Sequence, residues 1–215
     1  RAVLETPVRG RLSAIRTWTS GTPAEAPPLD EADPLPTDPD STAGWLAGLV
    51  MGSLGGHFGR AATIAERALA GDLPPVARLG AHYVVGWAAF HLGHIDESDR
   101  HLGRFEALLA ADPAVRLPGA NTTVEVSAAG YAALIAHIRG DEKAADRAIA
   151  LAGFRAAGRA EPNGIHVHLH HALLAAMRGD AAVAAQHARD CLAASERFTF
   201  PVFGLHAAVL LWVAA

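Results

Sequence analysis

Four times along this chain a glycine closes an apolar, helix-like segment, and a small residue follows five positions later inside a second such segment. The sets are Gly56 with Ala61, Gly93 with Ser98, Gly140 with Ala145, and Gly179 with Ala184; the glycines stand 37, 47 and 39 residues apart. Self-similarity at a period of roughly 20–50 residues is the mark of a solenoid, in which each unit is one supersecondary motif stacked on the next. The fold class this predicts is all-α: an α-α superhelix built of antiparallel helical hairpins. Such arrays present extended surfaces and usually bind other molecules rather than perform chemistry.

Each unit reads as a hairpin. Trp45, Leu46, Leu49 and Val50 recur at helical spacing before Gly56, and Ile64, Ala68 and Leu69 do so after it. Pro74-Pro75 opens a second unit, since proline is tolerated in a first helical turn, where its missing N–H has no intrahelical partner to lose. A third hairpin runs from about Thr123 to Ala157 and a fourth from about Gly164 to Ser195. Phe200-Pro201 starts a single further helix. Upstream, residues 1–18 carry spaced apolar side chains and read as a helix or the end of a preceding segment. Residues 19–41 form a Pro-rich acidic linker that includes Pro27-Pro28 and Asp38-Pro39-Asp40. Asp40 or Ser41 is the expected cap of the repeat domain, which spans 42–215.

Helices joined by a short turn approach closely only where side chains are short. Seven residues before the turn glycine stand Gly86, Ala133 and Ala172, with Leu49 as the exception, and five after it stand Ala61, Ser98, Ala145 and Ala184. This pattern resembles the tetratricopeptide repeat over about residues 42–215. The spacings exceed the family's roughly 34 residues, and the tyrosine expected three positions after the first small residue is replaced by Ala89, Ala136 and Ala175. The run Val183 to Ala193, followed by Glu196 and Phe200-Pro201, looks like the carboxy-terminal arms of large actinobacterial regulators. Those join an ATPase module to a DNA-binding or nucleotide cyclase domain. The resemblance implies a piece of a longer bacterial signalling or transcriptional regulator.

Composition narrows the function classes. The chain is 51% hydrophobic and 19% charged, enough apolar matter to bury a continuous core. Seventeen of its eighteen basic residues are Arg, a GC-rich-genome signature, and the net charge is −4 without a basic cluster, which argues against nucleic-acid contact. Every apolar run is broken before the roughly 18 residues a membrane helix needs. A cytoplasmic location is expected. Cys191 is the single cysteine and reads as a small buried residue rather than a reactive thiol.

No phosphate loop, nucleophile elbow, metalloprotease helix or paired-cysteine zinc motif is legible, so no catalytic residue and no cofactor are expected. Gly52, Gly55, Gly56 and Gly59 read as a helix end and turn, because no strand precedes them. The twelve histidines invite a metal reading, densest at His166, His168, His170 and His171. His166 and His170 share one helical face, and His168 and His171 another. A structural zinc needs about four ligands and a catalytic one about three, and no further ligand is identifiable by spacing; no metal site is expected. His57, His94 and His101 read as surface residues.

If the first helix of each hairpin lines the concave surface, the stripe for a partner comprises Tyr83, Trp87, Phe90 and His91, then Leu134 and His137, then His166, Leu169, His170 and Leu173. The alternative at each position is packed core. The expected function is a non-catalytic regulatory module that recognises a protein, a peptide or a small effector, with no membrane contact. Self-association is expected if a terminal hairpin exposes apolar surface. The competing readings are a metal-binding or metal-dependent enzyme that uses the 166–171 histidines, and a passive scaffold.

Overall fold

A computed structural model describes residues 35–54, 56–112, 123–157, 162–198 and 201–213. The segment 1–18 and most of 19–41 lie outside them. The described residues are all-helical, with nine α-helices: α1 (Pro39–Leu54), α2 (Phe58–Leu69), α3 (Pro75–His91), α4 (Ile95–Ala111), α5 (Thr123–Ile138), α6 (Glu142–Ala156), α7 (Pro162–Met177), α8 (Ala181–Phe198) and α9 (Pro201–Val213). They form four hairpins and one further helix. None is long and apolar enough to cross a membrane.

Among the described residues, the four repeat glycines are the ones that carry positive φ, between 76° and 88°. Each ends its helix in the same way. The glycine N–H bonds the carbonyl three residues back, and the next residue's N–H bonds the carbonyl five back, as in Gly93 to Phe90 and His94 to Ala89. This is the Schellman arrangement, which needs a left-handed residue and so favours glycine. The residue that completes it also caps the following helix. Asp141 Oδ1 accepts from the Ala144 N–H at 2.9 Å, and Asp180 Oδ1 from the Val183 N–H at 3.1 Å. His57 and His94 hold the same place without a side-chain cap bond.

The first helix begins earlier than the sequence implies. Asp38, rather than Asp40 or Ser41, is the N-cap: its Oδ1 accepts from the Ser41 N–H at 2.9 Å, while Ser41 Oγ accepts from the Thr37 and Asp38 N–H groups. Pro39 then occupies the first helical position, where its ring is preorganised.

Close approach falls where expected. Ala61, Ser98, Ala145 and Ala184 are buried, as are Gly86, Ala133 and Ala172. Leu49 is buried too. First helices also stack on first helices through glycine notches. Leu46 of α1 lies over Gly80 of α3, where a Cβ would stand 2.3 Å from the leucine Cδ2, and His170 of α7 lies over Gly130 of α5.

The chain divides into two compact units, residues 1–121 with α1 to α4 and residues 122–215 with α5 to α9. The division falls in the widest gap between repeat glycines, Gly93 to Gly140. In the first unit α3 packs on α1, α2 and α4; in the second, α7 packs on α5, α6, α8 and α9. Phe105, Leu79 and Leu102 are among the largest buried side chains of the first, and Leu134, Ile135 and Ile165 of the second.

Candidate functional site

Because first helices are covered by neighbours on several sides, half of the expected stripe is buried core. Tyr83 and Trp87 are 6% and 7% exposed. Tyr83 meets Phe105 of α4 with ring centres 5.8 Å apart, and Trp87 meets Phe58 of α2 edge-on at 5.5 Å. Leu134, Leu169 and His170 are buried. Leu169 belongs to a core with Ile165, Cys191 and Ala207, against which Leu173, Phe203 and Leu210 pack. The helix that removes Leu169 and Leu173 from the surface is α9. Sequence reasoning underestimated it because one isolated helix gives no sign of what it covers.

Two of the stripe residues lie nearer the surface, the exposed His91 and the partly buried Phe90. His91 is exposed and stacks on Phe58 at 4.5 Å, with Trp87 and Phe90 edge-on to it at 5.9 and 5.7 Å. In the second unit, His137 is partly buried and its Nδ1 lies 2.6 Å from Glu142 Oε1. Glu142 also receives Arg178, which bridges on to Asp146 at 2.8 Å. The His137 bond, then Arg178, hold the Glu142 carboxyl below its ordinary range. These groups tie a hairpin turn to the end of α7.

The histidines separate by face. His170 Nδ1–H donates to the His166 carbonyl at 2.7 Å, and its ring meets Tyr131 edge-on at 4.8 Å. His166 packs edge-on against Phe203 of α9 at 4.6 Å, and burial, then His170, push its pKa down to about 3. This pair is internal structure. On the other face, His168 and His171 meet α8. His168 Nδ1 lies 3.2 Å from His187 Nδ1 and 4.0 Å from Asp190 Oδ2, and the His171 ring stacks on His187 at 4.6 Å. Burial, then His187 and His168, lower the His171 pKa to about 4, and burial, then His168, lower that of His187.

The same contact recurs in the first unit. His82 of α3 and His101 of α4 bring their Nδ1 atoms to 3.1 Å. Both pairs occupy one repeat register, eleven residues before the turn glycine and eight after it. His101 is therefore half-buried rather than a plain surface residue, whereas His57 and His94 are exposed. The pairing of His101 with His82, and of His187 and Asp190 with His168, escaped the sequence reading, although aligning the repeats on Gly93 and Gly179 superposes the two pairs.

Cys191 is buried, with Sγ 3.7 Å from the Ile165 carbonyl, and burial pushes its thiol up to about 11. Such a thiol is a poor nucleophile near neutrality.

No family model matches the chain, and no curated protein or solved structure matches it either.

Among the described residues, an exposed apolar stripe lies on α9. Leu205, Val209 and Trp212, at helical spacing, are 67%, 53% and 81% exposed, while Gly204 and Ala207 face inward.

Proposed function

We propose that this chain is a non-catalytic, tetratricopeptide-like interaction module of a bacterial signalling or transcriptional regulator, stacked as an α-α superhelix and working in the cytoplasm. The observation that carries the reading is the open stripe of α9. This helix packs on α7 and α8 as α3 packs on α1 and α2, so it takes the place of a hairpin's first helix. Each earlier first helix is covered by an amphipathic second helix with a small residue at the close-approach position. The occupant that fits α9 is accordingly an amphipathic helix with small residues on its apolar face, laid along Leu205, Val209 and Trp212. Helix-in-groove recognition uses anchors at this spacing.

The test is selection of binders from a displayed library of amphipathic helical peptides, followed by titration against Leu205→Asp and Trp212→Asp. Both variants should stay helical by circular dichroism, since these side chains face solvent. Enriched peptides should lose at least about tenfold in affinity, as expected for anchor residues. Failure to enrich any peptide, or affinity untouched by both substitutions, overturns the proposal.

A further inference from the structure

The two histidine pairs share one register, but the first is flanked mainly by arginines, with Glu97 opposing them, and the second has Asp190 at its side. Around His82 and His101 stand Arg78 and Arg104, fifteen residues before and eleven after the turn glycine, and both depress protonation of His82. At the corresponding places around His168 and His187 the chain has Gly164 and Asp190. One pair is set among cations, and the other has a carboxylate beside it. Ligand atoms of His168, His187 and Asp190 all lie within 4.8 Å of one another.

We propose that His168, His187 and Asp190 bind a divalent transition ion, Zn²⁺ being the best match. Zinc takes imidazole nitrogen at about 2.0–2.1 Å in tetrahedral geometry, which sets two ligand nitrogens about 3.3 Å apart. The two Nδ1 atoms already stand at 3.2 Å. Asp190 Oδ2 lies 4.0 Å from His168 Nδ1 and within 4.8 Å of the ligand nitrogen of His187, so that a shift of its side chain would bring it into the coordination sphere. His187 and Asp190 lie on one face of α8 at i, i+3, and His168 comes from α7, so the ion bridges both helices of the fourth hairpin. The three groups are partly exposed, and the fourth position opens to water or to a donor from a partner.

Isothermal titration of the chelator-treated 215-residue chain with ZnCl2 should give one ion per chain. Asp190→Asn and His187→Gln should each weaken binding at least about tenfold, since even outer-shell changes cost roughly 10–100-fold. His101→Gln, in the arginine-flanked pair, should leave affinity within twofold. Zinc affinity unchanged in Asp190→Asn and His187→Gln, or lost equally in His101→Gln, overturns the proposal. Co²⁺ added to the unmutated chain supplies a readout independent of variant folding. Intense visible d–d bands of a tetrahedral centre, displaced by Zn²⁺, are expected, and a spectrum like that of hydrated Co²⁺ overturns the assignment.

Discussion

The hydroxyl of Ser98 donates a 2.7 Å hydrogen bond to the backbone carbonyl of Gly86, across the two helices of the second hairpin. Both residues occupy the repeat's close-approach positions, and together they let α3 and α4 pack backbone to backbone. A Cβ on Gly86 would stand 2.8 Å from Leu102 Cγ and 3.2 Å from the Leu102 nitrogen. Ser98→Ala is expected to cost about 1 kcal/mol, the usual net worth of one hydrogen bond. Gly86→Ala should cost about 1–3 kcal/mol, because overpacking against backbone cannot be relieved by a rotamer change. Urea unfolding checks both, and an unaltered midpoint in Gly86→Ala would show that the contact is looser than the distances state.

The turn glycines lend themselves to a conformational test. At Gly140, φ is 79° and nothing lies within 4 Å of where a Cβ would be, so any penalty for a side chain is torsional. Gly140→Ala is expected to destabilise the chain by about 1–2 kcal/mol, and Gly140→Asn by clearly less, since asparagine tolerates the left-handed region. Equal losses in the two variants, measured by guanidinium denaturation, would contradict the torsional account.

Two other glycines of the second unit should respond with opposite sign. A Cβ at Gly130 would sit 2.3 Å from Cγ of the buried His170 ring, whereas Gly153, within α6, has nothing within 4 Å. Gly130→Ala should lose about 2–3 kcal/mol. Gly153→Ala should gain about 0.4–1 kcal/mol through reduced freedom of the unfolded chain. Thermal unfolding of the two variants beside the parent shows whether the order holds.

Acid sensitivity follows from the first unit's histidines. Burial, then His101, Arg78 and Arg104, lower the His82 pKa from 6.5 to about 4. Burial and then Arg100 lower that of His101, against the opposing pull of Glu97. Between pH 6.5 and about 4 the unfolded chain therefore binds protons that the folded chain refuses, so stability is full above this window and declines as pH falls through it. The melting temperature should drop on acidification from pH 7 to 4. His82→Gln, which cannot charge, should show a shallower decline; an unchanged slope would point to other groups.

The hairpins were legible because their signal is local. A left-handed glycine and a small residue five positions on, with an acidic cap between them in two of the four turns, are set within a few residues of chain, and all four hairpins form. Burial of Trp87 and Leu169 was not legible, because it depends on which helices from other repeats cover them. Helical spacing places both on a face but does not say whether Phe58 or α9 lies over that face. The histidine contacts fall between these cases. His166 to His171 announced themselves by density, yet their partners sit nineteen residues apart across a hairpin, where only repeat register, not local pattern, brings His187 beside His168. Asp38 was passed over as the cap for a smaller reason: Pro39 looked like a barrier to the helix when it is its first residue.

The turn geometry also governs how such a chain can change in length. Because one residue both completes the end of the first helix and caps the second, the turn holds no spare position. A single inserted residue would turn the second helix by about 100° about its axis, carrying Ala145 or Ala184 out of contact and turning polar side chains inward. Insertions and deletions are thereby confined to the stretches between hairpins, and the longest glycine spacing, Gly93 to Gly140, spans one of them. Each hairpin is expected to tolerate no change in the length of its turn, and the joints between hairpins are where added residues would do the least damage.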